Sequence, residues 1–564
     1  MNSVRRPRLM GIALGMGMLF ASQAVHLAIA GPIELDPWVP RGTGDPISIQ
    51  RGDGDPAEVG LWSAPRPWPV IAIHGALLPT GKVLHYSYPD ETEHSRAMVW
   101  DPTSDSFELV EGLTDQFCSG LSFLGNGRLL VSGGNDTQCL FQGRRVATQF
   151  DAFSETWSPV GFMSTGRWYP TNITLANGSV IIVSGLNENC VLTSKMDMFE
   201  PSQGILPIPE GDRFLDLFPR MHLLSSGKIA HVGSEQMTST FDPINLVWEV
   251  FDFSNAGYRA EGTSVLVPGT TDEVMIIGGY VNGSPSATCE RIDFNDEETG
   301  WQFTGSLNLG RALANVVILP DRKVLLVGGG TVDLYGGPIL NAELYDPARE
   351  TWTLVAAQAH GRMYHSTAIL LPDGRVLSAG QDSGASAYRA EFYSPAYLFR
   401  GARPEITSAP DSLSFGGTFT IQTPQADEID SVALIRLTAM THSVNFSQRY
   451  VGLDYTIDNS NELTATAPAN GRFAPPGYYM LFMVNSAGVP AVAPIVQLTC
   501  GGDANGDGSV DPLDSGFVLA RFGCPVGTGD PSCDAADQNG DGAVDPLDSG
   551  FVLARFGTCL GGSP

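Results

Sequence analysis

The stretch Gly361-Arg362-Met363-Tyr364-His365-Ser366 sets a phenol and an imidazole side by side. Both are possible metal donors, and each needs help at neutral pH, since a phenol ordinarily keeps its proton until about pH 10 and an imidazole must be uncharged. On a regular strand, neighbouring side chains point to opposite faces. The pair can therefore address one point only where a strand begins or ends, and the strand-like run Thr367 to Ser378 follows directly. Two other places look built for the same point: Cys118 with Tyr169, and His442 within Thr441-His442-Ser443. Taken singly, each residue has a plain structural reading. A lone cysteine is usually a small core hydrophobe, a tyrosine a core aromatic bonded to backbone, and a histidine a hydrogen-bonded core residue. His74, His85, His222, His231 and His360 lack such company in the sequence and are read as structural.

The elements that must position these groups come from a repeat. Turns followed by apolar strands recur around residues 81, 127, 178, 227, 273, 322 and 374, a period near 50. Gly pairs follow several of the strands (Gly133-Gly134, Gly278-Gly279, Gly328-Gly329). Later come Phe241-Asp242-Pro243 with Trp248 and Tyr345-Asp346-Pro347 with Trp352. Such a period with Gly pairs and a late Trp is the signature of kelch-type blades. Residues 62–399 are therefore expected to form a seven-bladed β-propeller, preceded by a linker over 31–61. From 400 to 499 alternating strands, among them Thr418 to Gln422 and Tyr478 to Val484, predict an immunoglobulin-like β-sandwich.

Residues 500–564 are a tandem repeat in which Asp511 to Gly523 and Asp545 to Gly557 are the same residues. Oxygen ligands fall at loop positions suited to calcium: Asp503, Asn505, Asp507, Asp511 and Asp514, then Asp537, Asn539, Asp541, Asp545 and Asp548. A Gly after the third of each set permits the sharp turn that such loops need. The expected fold class is thus all-β, with a small helical calcium-binding tail. The tail resembles a type I dockerin, which implies a cohesin-like scaffold protein as partner. Pro512-Leu513 and Pro546-Leu547 stand where that module has small hydroxyl residues.

At 564 residues the chain is too long for one compact core, and its 65 Gly, 39 Pro and 16% charged residues suit short strands and many turns. A net charge of −29 argues against nucleic acid or an anionic membrane surface as partner, because both repel an acidic protein. Residues 1–30 read as a signal peptide: Arg5, Arg6 and Arg8, an apolar run from Met10 to Val25, and Ala28-Ile29-Ala30 as the cleavage site. The expectation is a secreted or extracytoplasmic, soluble protein cleaved after Ala30, with no later membrane span and monomeric. Cys500, Cys524, Cys533 and Cys559 can pair within the tail, and Cys139 and Cys190 across neighbouring repeats. Cys118 and Cys289 remain. Asn172 and Asn445 lie in N-x-[ST] triplets, which matter only in a host that glycosylates.

Four separated motifs carry a resemblance to the galactose oxidase and glyoxal oxidase family of copper radical oxidases: Phe117-Cys118-Ser119-Gly120, Gly166-Arg167-Trp168-Tyr169-Pro170-Thr171, Arg362-Met363-Tyr364-His365-Ser366 and Thr441-His442-Ser443. Ala474-Pro475-Pro476-Gly477-Tyr478-Tyr479 is a further, structural match. The resemblance covers 62–499 and is closer to the glyoxal oxidase branch. It implies a copper ion held by Tyr169, Tyr364, His365 and His442, a set that suits Cu(II), and a thioether joining Cys118 to the Tyr169 ring. That leaves Cys289 as a buried thiol. It further implies oxidation of small aldehydes, as hydrates, or of primary alcohols by dioxygen, with hydrogen peroxide as product. Tyr364 would take the substrate proton and the Tyr169 radical a hydrogen atom from carbon. His442 would arrive on a loop of the sandwich, and Trp168 could shield the radical. Two rivals stand beside this reading: a non-catalytic propeller binding carbohydrate or protein, and a copper protein without the radical.

Overall fold

Each turn-and-strand unit becomes one four-stranded antiparallel sheet in the computed structural model, which describes residues 54–89, 94–136, 141–296, 298–382, 386–507, 510–527 and 530–556. The signal-like segment, most of the linker, Cys139 and Cys559 lie outside the described residues. The third sheet is typical: Thr171–Thr174, Val180–Val183, Met196–Glu200 and Gly204–Pro207, paired in that order. Its inner strands are wholly buried and its outer strand is largely not. Val180-Ile181-Ile182-Val183, its second strand, accordingly reads as a continuous apolar run. The predicted turns link the first two strands of each sheet, and left-handed backbone falls at Gly81, Gly127, Gly178, Gly227 and Gly374, with Asp272 and Arg322 in the other two. Asp101, Asp151, Asp242, Asp293 and Asp346 close the turns between third and fourth strands by accepting backbone N–H bonds from two residues on.

The innermost strands touch one another in chain order, from Gly120–Phe123 through Thr171–Thr174, Arg220–Leu223, Thr263–Leu266, Ala312–Ile318 and Ser366–Leu370 to His74–Leu77. This is the arrangement of a seven-bladed propeller. The seventh sheet draws its outermost strand from the other end of the chain: Leu61 pairs with Ser394 and Trp62 with Tyr393. The segment expected as linker and first unit therefore completes the last blade. Periodicity could not reveal this, because the strand is only two residues long and its partner lies more than 300 residues away.

A buried ion pair recurs that the sequence reading passed over. Arg167 meets Asp197, Arg259 meets Glu290, Arg311 meets Glu343 and Arg362 meets Glu391, with all eight side chains at most 1% exposed. Each arginine precedes an inner strand, and each acid lies on the third strand of the same sheet. Other guanidinium hydrogens go to backbone carbonyls, as those of Arg362 do to Gly380 and Ser386, so the buried charge is both paired and hydrogen-bonded, although Nε of Arg167, Arg259 and Arg362 is buried without a partner. The kelch glycines seat these arginines. A Cβ on Gly133 would lie 2.2 Å from the Arg167 carbonyl oxygen, and one on Gly328 would lie 2.3 Å from that of Arg362.

Two sheets form the sandwich. One runs Ser412–Ser414, Ile495–Thr499, Gly477–Asn485, Ile429–Arg436, Tyr450–Leu453, and the other Thr418–Gln422, Glu462–Thr466, Tyr455–Asn459. Between Ile429–Arg436 and Tyr450–Leu453 the chain leaves the sandwich as a hairpin, Ala439–Thr441 and Val444–Asn445. This hairpin adds to the inner edge of the first blade, with Thr441 opposite His74, and Ala439–Thr441 also touches Gly120–Phe123. In the tail, the helices Pro512–Leu519 and Pro546–Leu553 pack together, and each begins with a proline at its first position behind an Asp511 or Asp545 cap. That is why Pro-Leu follows the ninth loop residue. Cys524 bonds to Cys533 and Cys500 is disulfide-bonded, while Cys289 is a buried thiol. Asn172 is fully buried and accepts from the Ser132 hydroxyl, so its glycosylation triplet is closed to modification in the folded protein. No described helix is long and apolar enough to cross a membrane.

Candidate metal centre

Propeller symmetry explains how separated residues reach one place. Cys118, Tyr169, Phe218, Glu261, Leu313 and His365 sit two residues ahead of equivalent positions on six successive inner strands. All six have left-handed backbone, with φ between 46 and 69°. Left-handed backbone is uncommon for such side chains, and six repeats of it mark a built turn at the top of each inner strand. At His365 this turn lets Tyr364 and His365 face the same way, and their rings stack 3.7 Å apart just before the strand Ser366–Leu370 begins. Tyr169 and Tyr364 each follow one of the buried arginines by two residues, so the ion pairs anchor both phenols.

His442 arrives from the sandwich. It and Ser443 form the two-residue tip of the intruding hairpin, with φ of 49 and 62°, the turn that suits a tight antiparallel hairpin. The five expected residues meet. The His442 ring lies 4.4 Å from His365, 4.6 Å from Tyr169 and 5.3 Å from Tyr364, between centroids. Its Nε2 is 3.6 Å from the Cys118 sulfur, the two phenol oxygens touch, and the Cys118 thiol lies against the Tyr169 phenol. None is more than 4% exposed. Burial raises the phenols Tyr169 and Tyr364 and the Cys118 thiol well above their usual ranges, and drives both imidazoles far below theirs, so His365 and His442 are neutral.

The tautomers are set by neighbours. Thr441 donates its hydroxyl hydrogen to the Ile73 carbonyl at 2.9 Å, so its oxygen accepts from His442 Nδ1 at 2.6 Å and Nε2 keeps its lone pair. His365 Nδ1 lies 2.7 Å from Asp382 Oδ1, which leaves His365 Nε2 as a buried nitrogen without a hydrogen-bond partner. A buried acceptor with nothing to accept from is costly unless a cation takes it. This nitrogen, His442 Nε2 beside the Cys118 sulfur and two phenol oxygens fit a copper ion by donor chemistry.

Other residues at the centre were not singled out. His74 accepts the Cys118 backbone N–H at 3.1 Å and lies 5.9 Å from His442, so it has the company that the sequence did not reveal. Its burial-lowered pKa of about 3 keeps it a neutral support. Trp168 stacks on Tyr169 at 3.6 Å and 11°, so here neighbours in sequence are neighbours in space. Tyr88 and Asp382 meet His365, and Tyr335 bonds to Asp382. No motif marks them, because each lies alone in a loop or at a strand end.

The tail residues behave differently. Asp514 and Asp548 are buried, and each accepts two backbone N–H bonds that close its loop, from Asn505 and Asp511 and from Asn539 and Asp545. Asp503 with Asn505, and Asp537 with Asn539, accept from the N–H of Asp507 and Asp541. Burial, with Asp507 and Asp511 nearby, pushes the Asp514 carboxyl up to about 6. Among the described residues these carboxylates do not gather three within 4.8 Å of one another, as Cys118, His365 and His442 do.

Comparison with known proteins supplies the family. The glyoxal oxidase N-terminus family matches residues 85–397, and the galactose oxidase-like early set domain matches 403–498. The chain is 30% identical over 489 residues to aldehyde oxidase GLOX from Vitis pseudoreticulata, covering 75% of this chain and 90% of that one. It is 27% identical over 494 residues to galactose oxidase from Gibberella zeae, covering 78% and 71%. A solved fungal alcohol oxidase of the AA5 family, in complex with copper, superposes with a TM-score of 0.70 over 78% of this chain and all of that one, at 24% identity. One family model thus matches more than half of the chain, its companion domain matches the sandwich that delivers His442, and the chain belongs to the copper radical oxidase family of galactose oxidase and glyoxal oxidase.

Proposed function

We propose that this chain is an exported oxidase that converts small aldehydes, as their hydrates, or primary alcohols with dioxygen, releasing hydrogen peroxide. The observation that carries it is the meeting of Cys118, Tyr169, Tyr364, His365 and His442, from three blades and the sandwich, in one buried cluster. Tyr169, Tyr364, His365 and His442 hold copper, the imidazoles through Nε2. Cys118 joins the Tyr169 ring: the S–H and a ring C–H are lost, an S–C bond forms, and dioxygen takes the two electrons. The copper, when bound, supplies one of the two oxidising equivalents and Tyr169 the other, and dioxygen restores both. Tyr364, as phenolate, accepts the proton of the substrate hydroxyl. Tyr169 accepts a hydrogen atom from the adjacent carbon, and Trp168, stacked on it, keeps water from its ring face. An alcohol then leaves as aldehyde and an aldehyde hydrate as acid.

A second reading has Cys118 as a direct thiolate ligand, because its sulfur and the nitrogens of His365 and His442 lie within 4.8 Å of one another. Copper loading in air separates the two. The oxidase reading expects a mass lower by about two hydrogens, joined Cys118 and Tyr169 peptides that resist thiol reductant, and peroxide formation over a panel of aldehydes and alcohols. An alkylatable Cys118 with no peroxide from any substrate would sink it, and an intense thiolate-to-copper absorption would put the second reading in its place.

The tail is proposed as a calcium-dependent docking module, with Asp503, Asn505, Asp507, Asp511 and Asp514 in one loop and Asp537, Asn539, Asp541, Asp545 and Asp548 in the other. Support comes from the duplicated loops, the left-handed Gly506 and Gly540 that turn them, and exposed Leu513, Leu519, Leu547 and Leu553 on the paired helices. A cohesin-like scaffold is the partner that the resemblance implies. Export fits the Cys524–Cys533 disulfide.

A further inference from the structure

One residue that no motif marks bonds to both members of the Tyr364-His365 pair. Asp382 follows the second strand of the seventh blade, Val376–Gly380, and grips both members of the Tyr364-His365 pair. Its backbone N–H donates to the Tyr364 carbonyl at 3.2 Å. Its Oδ1 lies 2.7 Å from His365 Nδ1, and its Oδ2 accepts from the Tyr335 hydroxyl at 2.7 Å. The Tyr335 ring also meets Tyr364 edge-on at 6.1 Å. Phe117 meets His365 edge-on at 5.3 Å, and the Tyr88 hydroxyl lies 3.1 Å from Nδ1. The imidazole is thus met at Nδ1 by Asp382 and Tyr88, edge-on by Phe117 and on its face by Tyr364.

We propose that Asp382, held in place by Tyr335, is the positioning residue of the metal centre: it fixes His365 with its hydrogen on Nδ1 and strengthens Nε2 as a donor to copper. Ionised, Asp382 is the one polar group at Nδ1 that can only accept. A tyrosine hydroxyl can donate as well, so Tyr88 alone would allow the tautomer with hydrogen on Nε2 and no lone pair for a metal. A carboxylate behind an imidazole also raises the basicity of the ligating nitrogen, the outer-shell device of many metal–histidine sites. The other histidine is oriented by a neutral hydroxyl, Thr441. The two imidazoles are therefore unequal donors, with His365 the stronger. The inference rests on the reading of His365 as a ligand.

The test is copper affinity by competition titration together with the electron paramagnetic resonance spectrum of the loaded protein, for wild type, Asp382→Asn, Asp382→Ala and Tyr335→Phe. The asparagine variant keeps shape and an oxygen acceptor but loses the charge, so it remains usable if the alanine variant does not fold, and the apo melting temperature checks each. Asp382→Asn is expected to weaken copper binding by about 10–100-fold and to change the copper hyperfine splitting. Tyr335→Phe should move both in the same direction by less. Wild-type affinity and an unchanged spectrum in a folded Asp382→Asn protein would overturn the positioning role while leaving the copper site standing. Failure of the wild type to bind copper at all would overturn both.

Discussion

Cys118 decides between chemistries at the residue scale. It is buried, that burial raises its thiol well above the usual range and keeps it protonated, and it touches both a phenol and an imidazole. Replacing it by serine is expected to leave copper binding within a few fold, because the four donors remain, yet to abolish the long-wavelength absorption of an oxidised ring and nearly all peroxide formation. Optical spectra and copper titrations on Cys118→Ser check this. The phenols make a second expectation. Burial holds Tyr169 and Tyr364 above their usual range, so both are protonated in the apo protein at neutral pH and lose that proton on metal binding. Copper affinity should therefore rise with pH, by ~1 log unit per pH unit for each phenolate formed, while the already neutral imidazoles release nothing. A pH-independent affinity would exclude phenolate ligation. The five central residues were legible because each sits in a motif with its chemical group intact. Asp382 was not, since a single carboxylate in a loop looks like any solvated acid until its partner is seen in space.

At the scale of elements, the turn positions were readable because Gly or Asp takes the left-handed position in six of the seven turns between first and second strands, Arg322 in the other. The ion pairs were within reach too, since the arginine and its acid stand 30, 31, 32 and 29 residues apart in four units. What concealed them is that charged residues are ordinarily solvated, so none suggests a core position. These pairs yield a comparison. Glu391→Gln and Glu343→Gln should each destabilise the fold by about 3–5 kcal/mol, because a buried guanidinium is left uncompensated. Only Glu391→Gln should also weaken copper binding, since Arg362 leads into Tyr364-His365 and Arg311 leads into Ala312-Leu313. Melting curves beside copper titrations on both variants separate the structural effect from the positional one. Equal losses of copper affinity would mean that global loosening, not local anchoring, carries the effect.

For the whole molecule, the sandwich contributes His442 to the buried cluster, and the described tail residues contribute none of its members. The Ala439–Thr441 and Val444–Asn445 hairpin carries His442 between the first and second blades, whereas the helices Pro512–Leu519 and Pro546–Leu553 pack on each other. Ending the chain after Thr499 should therefore leave copper affinity and peroxide formation within about twofold, and remove any stabilisation by calcium. Loss of copper binding on that truncation would show that the tail supports the propeller. Repeats and strand alternation allowed both domains to be read, because they are local properties. The joins between them were hidden, because strand pairing across hundreds of residues leaves no local trace.

One of those joins governs when the enzyme can come into being. The seventh blade, which bears Tyr364 and His365, borrows its outer strand from Leu61–Trp62, and the first blade borrows its innermost pair from 439–445. As the chain emerges from the ribosome, its earliest strand has no place to go until residues 389–394 are made, and the cluster lacks its last member until His442 appears. If these residues hold copper as proposed, the full donor set exists only after residue 442 of 564 has been made. A chain stopped between residues 365 and 442 holds Cys118, Tyr169, Tyr364 and His365 but lacks His442.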